Sequence, residues 1–461
     1  MSTVIAVLEA IFWGALVLSV LVFVHEGGHY LAARGFGVRV TEFFLGMPCR
    51  WKLSHKSKKV GTEIGVTPIL LGGYTRICGM EGSEDELLAP ALQCVMKHGR
   101  VRVDVLAAEI GCDVDKAYDL LITLTDWAAV EPYYDPELGE EPNQKTYPAQ
   151  FQTLARDADL LTEYDRGHDF SKPGSTAAGE PCPSNLTAEE LLAQERSHTY
   201  LGCGFFKRLV MLVAGPLVNI VVSILLVTFA IMFEGVDYVP DISTLGGVEE
   251  GSIAEEIGLT ANDTITMVGD TDVSTWTELV EALSPYLEDG VDFDLVVERN
   301  GEEFTVSVDL PDGEETEYLG IYSSSATYYP SFIESFVVAL EYAGTVGTYV
   351  AELLVPTETM EILDQSTSIV GISVMASEAA SSGLYDLVML AAAVSMSLGF
   401  MNLLPIPPLD GGKIAIEIVQ LIIRRPLSQR AQTVWNCIGM VFFLFIFIVV
   451  LRNDIVNYVI G

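Results

Sequence analysis

The sequence predicts an α-helical polytopic membrane protein, with four transmembrane helices and folded domains in the loops between them. Three observations predict it. Half of the 461 residues are hydrophobic. That apolar content is concentrated in four runs, residues 4–30, 209–233, 384–404 and 433–451, each near the ~20 residues a helix needs to cross a bilayer. Basic residues divide the intervening loops: residues 34–208 hold 19 of the 25 Lys and Arg, whereas residues 234–386 hold only Arg299. Lys413, Arg424, Arg425 and Arg430 cluster between the third and fourth runs. Cytosolic loops carry the excess of basic charge, which puts residues 34–208 in the cytosol, residues 234–386 outside, and both termini extracytoplasmic.

Composition excludes several classes. With 63 acidic residues against 25 basic ones and a net charge of −38, no nucleic acid is expected as a partner of the whole chain. Seven cysteines without a CxxC pair argue against a disulfide framework and a cysteine-based zinc site. The first run lacks a basic leader and a small-residue cleavage site, so it reads as a retained span.

Residues 1–82 begin with the first span and, at its cytosolic end, His25-Glu26-Gly27-Gly28-His29. Two histidines four apart share one helix face, so both imidazoles can reach one Zn²⁺, and the adjacent glutamate can act as general base on water. The alternative is a helix end surfacing among headgroups with solvated histidines. An ionisable group at membrane depth costs roughly 2.5 kcal/mol or more, which favours the functional reading. Short strands follow at 38–44, 49–53, 62–67 and 73–77, broken by glycines.

Residues 83–136 read as a winged-helix-like cytosolic insertion, with helices at 85–97, 103–110 and 114–124 and a strand at 128–133. Its third helix carries Asp113, Asp115 and Asp119 against Lys116, a poor surface for phosphate, so a protein partner is expected. Residues 137–202, rich in Pro, Glu, Asp, Ser and Ala, read as an acidic, disordered linker. Residues 203–233 form the second span. Residues 234–315 alternate strand and turn signals around a helix at 275–284. Residues 316–383 read as an amphipathic juxtamembrane segment. Within it, residues 328–356 lie on the membrane surface rather than crossing, because Glu334, Glu341 and Glu352 would be costly in lipid.

Residues 384–461 hold the third and fourth spans, joined through Asn402-Leu403-Leu404-Pro405-Ile406-Pro407-Pro408-Leu409-Asp410-Gly411-Gly412. Three prolines in four positions break the helix, and irregular backbone at membrane depth survives only where it is buried or lines a cavity. Asp410 is either a third metal ligand beside His25 and His29 or the N-cap of the helix that follows.

HEGGH at 25–29, GGYTRICGM at 72–80, KRLVMLVAGPLVNI at 207–220 and NLLPIPPLDGG at 402–412 together resemble the site-2 protease family of intramembrane zinc metalloproteases. GSIAEEIGLTANDTITMVGD at 251–270 resembles the core of a PDZ domain. The resemblance implies Zn²⁺ bound by His25, His29 and Asp410, and Glu26 activating water. It also implies Asn402 helping to hold the substrate backbone, and Gly72, Gly73 and Tyr74 in a membrane-entering β-loop beside the site. The implied partners are the lipid bilayer and a transmembrane protein substrate, such as an anti-sigma factor or signal-peptide remnant, and the implied location is a bacterial inner membrane. A catalytically silent scaffold that captures protein termini through the PDZ-like domain is the alternative; the presence of Glu26 with all three ligands speaks against it. A transporter would show paired repeats, and none is visible.

Overall fold

Four helices are long and apolar enough to cross a membrane: Val4–Gly35, Phe205–Glu234, Leu384–Met401 and Arg430–Ile455. They coincide with the four expected runs. The computed structural model describes residues 2–70, 72–80, 85–141, 144, 146–310, 318–355, 357–425 and 427–456. The expected boundaries at 82/83 and 315/316, and residues 1 and 461, lie outside the described residues, as does Pro356. The chain divides into two units, residues 1–227 with 338–461, and residues 228–337.

Helix α1 (Ser2–Gly35) runs into a sheet of β1 (Val40–Leu45), β2 (Leu53–Lys56), β3 (Glu63–Val66) and β4 (Gly73–Ile77) in the order β2-β3-β1-β4. β1 and β3 are parallel and the other pairs antiparallel, so among the described residues β4 is an edge strand paired with β1. The second strand lies later than the expected 49–53. Cys49–Lys52 instead makes the approach to it, and Ser54 and Lys52 are held by Glu63 of β3 at 2.5 and 2.6 Å.

The insertion comprises α2 (Leu88–His98), β5 (Arg100–Arg102), α3 (Val103–Ile110), α4 (Val114–Asp126), β6 (Val130–Tyr133), β7 (Gln150–Thr153) and α5 (Ala188–Ser197). The three strands form an antiparallel sheet in the order β5-β7-β6. The expectation of a disordered linker over 137–202 is corrected here. β7 is the central strand of that sheet, and Phe151, Cys182 and Leu191 join the core of Leu92, Val95, Leu121 and Trp127. Acidic composition hid the order because the acids are partnered: buried Arg39 donates to Asp165 at 2.8 and 2.6 Å and to Glu195 at 2.5 Å, and buried Arg156 donates to Glu195 at 2.5 Å. A few apolar anchors plus internal ion pairs replace the hydrophobic run that sequence reading looks for.

Helix α6 (Phe205–Glu234) leads into the second unit, which contains β8 (Val236–Tyr238), β9 (Leu245–Val248), α7 (Ile253–Glu256), β10 (Thr264–Val268), β11 (Thr271–Asp272), α8 (Trp276–Asp289), β12 (Phe293–Arg299), β13 (Glu302–Val308), β14 (Ile321–Ser323) and β15 (Ala326–Tyr328). Its main sheet has the order β11-β10-β12-β13, and β14 pairs with β9. Leu245, Ile265, Leu279, Leu283, Leu295 and Val308 make its core. A Thr275–Glu278 capping box starts α8. Asn300 and Gly301, both at positive φ, form the two-residue turn that joins β12 to β13.

The chain returns through α9 (Phe332–Glu352), α10 (Thr359–Gln365), α11 (Ile369–Ser382), α12 (Leu384–Met401), α13 (Asp410–Ile423) and α14 (Gln429–Ile455). The span 316–383 is therefore not one juxtamembrane segment. Apolar α11 packs on α1, with Ala376 against Val17 and Leu21, and Ser368 and Gly371 at its start donate to buried Asp454 of α14 at 2.6 and 3.0 Å. Polar groups between spans are satisfied across helices: Ser223 donates to the Ala392 carbonyl and Ser395 to the Asn219 carbonyl, at 2.5 and 3.0 Å.

Candidate functional site

Helical spacing alone puts His25 and His29 on one face of α1, and small residues bring a second helix against that face. A Cβ at Gly28 would lie 2.4 Å from the Ala214 carbonyl oxygen, so α1 and α6 meet at backbone distance. His29 Nδ1 then reaches the Met211 carbonyl at 2.7 Å. That bond assigns the proton to Nδ1 and leaves Nε2 as a lone-pair donor. Gly215 gives the ring room, since a Cβ there would lie 2.3 Å from His29 Nε2.

Asp410 comes from α13. Its carboxylate caps no helix: the N-cap is Leu409, without a side-chain cap bond. Oδ2 instead lies 3.1 Å from His25 Nε2 and 3.1 Å from His29 Nε2, and the two Nε2 atoms are 3.2 Å apart. The tight reversal that presents Asp410 depends on Gly411, whose N–H donates to the Asn402 carbonyl at 2.7 Å and whose Cβ would lie 2.1 Å from the Leu404 carbonyl oxygen. His25 and His29 are buried and Asp410 is half-buried. His25 Nδ1 is buried without a hydrogen-bond partner.

Glu26 shares a cavity of about 150 Å³ with His29 and Asp410, lined also by Tyr74, Thr75, Ile77, Met80, Met211, Leu212 and Lys413. Tyr74, Thr75 and Ile77 of β4 form one wall. The Thr75 hydroxyl donates to the Glu26 carbonyl at 3.0 Å, and a Cβ at Gly73 would lie 3.6 Å from Glu26 Cγ. Tyr74 stacks on Phe44 with ring centroids 5.4 Å apart. Gly72, at φ +149°, accepts from the Gly46 N–H at 2.7 Å. Just before it, the Leu70 carbonyl accepts from Ser19 of α1 at 2.6 Å. That contact lies six residues before His25 along α1.

Of the residues expected at the site, His25, Glu26, His29, Asp410, Gly73 and Tyr74 come together. Gly72 sits just outside the cavity wall. Asn402 does not line the cavity: its Nδ2 donates to the Leu398 carbonyl at 3.0 Å. Sequence reasoning assigned no role at the site to Met211, Gly215, Thr75 or Lys413. The Ala214-Gly215-Pro216 run in a span was the available signal, because small residues there mark a close helix approach.

The model of Peptidase family M50 matches residues 13–446. The chain is 26% identical over 463 residues to a putative zinc metalloprotease of Lactococcus lactis, covering 98% of this chain and 99% of the relative. It is 26% identical over 467 residues to a zinc metalloprotease RasP of Geobacillus kaustophilus, covering 98% and 99%. To a zinc metalloprotease RasP of Shouchella clausii it is 28% identical over 450 residues, covering 95% and 97%.

Proposed function

The chain belongs to peptidase family M50, as a multi-pass membrane zinc metalloprotease of the site-2 type, and from that premise we propose its ligands, reaction and substrate class. His25, His29 and Asp410 hold the zinc, Glu26 is the general base, and the substrate is a transmembrane segment of a membrane protein. One observation carries this reading: three donor atoms within 3.2 Å of one another, two of them on a cavity that Glu26 and strand β4 also line.

The donor set fits the metal. Two imidazole nitrogens and a carboxylate oxygen converge on one point, and two nitrogens with one oxygen suit zinc with one position left open. Zinc supplies Lewis acidity there when bound. Glu26 accepts a proton from the attacking water on a carboxylate oxygen and delivers it to the leaving amide nitrogen. The Met211 carbonyl holds the His29 ring and its tautomer.

A helical substrate must unwind before its amide can be attacked. The unpaired edge of β4 offers N–H and C=O groups at the cavity wall, and strand addition there would satisfy the freed substrate backbone. Gly72, Gly73 and Tyr74 belong to that loop, and exposed Met47, Trp51, Leu53 and Ile69 beside it suit entry into lipid. Asn402, off the cavity lining, would hold a substrate N–H through Oδ1 only where the bound segment extends beyond the cavity.

Around this core, residues 83–136 extended by β7 are a winged-helix-like insertion whose acidic α4 takes a protein partner. Residues 234–315 are a PDZ-like domain. The positive-inside balance orients the insertion to the cytosol and the PDZ-like domain outside, with both termini extracytoplasmic in a bacterial inner membrane. Cysteines placed at Ser171 and Asp270 should label from opposite sides; labelling from one side rejects the orientation. The functional test compares membrane proteomes of cells carrying the wild type or Glu26→Gln. A membrane protein that accumulates uncut only with Glu26→Gln is expected, and identical proteomes reject the proteolytic role.

A further inference from the structure

A second set of metal-type donors lies in the insertion, away from the site above. Cys94 and His98 are four apart on α2, so they project from one face one turn apart. Glu109, in the last turn of α3, meets them from the neighbouring helix. Its Oε2 lies 3.4 Å from Cys94 Sγ and 2.9 Å from His98 Nε2, and the three donor atoms all lie within 4.8 Å of one another. Sulfur and nitrogen reach one and the same oxygen, so the three donors form one cluster and not separate pairs.

Donors bound to a tetrahedral zinc at about 2.0–2.3 Å lie about 3.3–3.7 Å apart, so small side-chain adjustments would seat the ion. Cys94 is 4% exposed and anchors the site in the core, while the His98 and Glu109 side chains are 40% and 34% exposed, leaving an entry path and a solvent position. Lys97 Nζ, 3.1 Å from Glu109 Oε1, is the competing cation, but its side chain is 66% exposed and can swing into solvent. An exposed Lys–Glu–His pairing contributes little to stability and gives no reason for a buried thiol to share the same carboxylate. No second cysteine is involved, so CxxC spacing could not reveal the set.

We propose that Cys94, His98 and Glu109 form a second metal site, which takes a borderline divalent ion of the zinc class and staples α2 to α3. Thiolate and imidazole select such ions over Mg²⁺ or Ca²⁺. The staple is connected to the first site through packing. α2 lies against α5, α5 supplies Glu195 to Arg39, and Arg39 follows directly on the helix that carries His25 and His29.

The test uses full-length protein stripped with a chelator and titrated with Co²⁺, then Zn²⁺. The wild type should take up about two Co²⁺ per chain and show a thiolate-to-cobalt charge-transfer band, which the His–His–Asp site cannot produce. Cys94→Ser should remove the band and one equivalent. Glu109→Gln, a surface change that does not threaten folding, should weaken the same equivalent, and both variants should keep Glu26-dependent proteolysis. His25→Ala should remove the other equivalent and leave the band. Failure at the first site is therefore read separately from failure at the second. A wild type with no thiolate band, or a band and stoichiometry unchanged in Cys94→Ser, overturns the proposal.

Discussion

The quartet Arg39, Arg156, Asp165 and Glu195 and the quartet His25, Glu26, His29 and Asp410 lie in the same unit, joined by the turn from α1 into β1, and they handle charge away from water differently. The first contains its own cations. Two guanidiniums and two carboxylates sum to zero, and further guanidinium N–H groups donate to the carbonyls of Trp127, Ala128, Ala129 and Leu160. The second has two carboxylates and two imidazoles. Among the described residues, Asp410 has ion-pair geometry only with the histidines that face it. A cluster that neutralises itself is a clamp, and here it ties the insertion to the end of the first span. A cluster of converging metal-type donors suits a cation from outside, and it borders a cavity.

Breaking the second cluster should have the larger effect. His25→Ala or Asp410→Ala should abolish both proteolysis and the metal equivalent of this site, measured by metal analysis beside cleavage of a membrane-embedded substrate. Glu26→Gln should lose about 10²–10⁴-fold in rate while retaining the metal, because Glu26 is not a ligand. Full metal and activity in Asp410→Ala would remove the distinction between the clusters.

Arg39→Met should act on stability instead. It leaves Asp165 and Glu195 buried with less compensation, at a cost of about 3–5 kcal/mol, read from thermal or denaturant unfolding in detergent. If the variant unfolded like the wild type, the quartet would be no clamp. Gly215→Ala tests how finely the first cluster is held. The added methyl meets His29 Nε2, so metal affinity should fall about 10–100-fold with the fold intact.

The smallest effect separates the clusters by pH. Burial alone would raise the Asp165 carboxyl, but the Arg39 guanidinium holds it down to about 2. A carboxyl depressed on folding below its ordinary value of about 3.9 contributes stability that is present above about pH 4 and is lost as pH falls toward 2. The melting temperature of the wild type should therefore drop more steeply over that window than that of Asp165→Asn. Parallel curves would assign the acid sensitivity to other groups.

The sequence by itself determined the features with a strong local signal. Four apolar runs gave four long helices because crossing length is a matter of consecutive residues. The spacing of His25 and His29 put both on one face because helical periodicity is local, and the strands between residues 245 and 308 followed from alternation and from the Asn300-Gly301 turn, whereas those at 321–328 had no such signal. Tertiary structure decided what depends on partners distant in sequence. Whether Asp410 caps a helix or faces the histidines rests on how the Asn402–Gly411 turn meets α1. Order in 146–202 rests on Arg39 and Arg156 finding Asp165 and Glu195, which acidic composition conceals. The Met211 carbonyl on His29 and the meeting of Cys94 with Glu109 need two helices to be packed first. No spacing along the chain encodes them, because a contact between helices is fixed by side-chain volume and packing angle rather than by residue period.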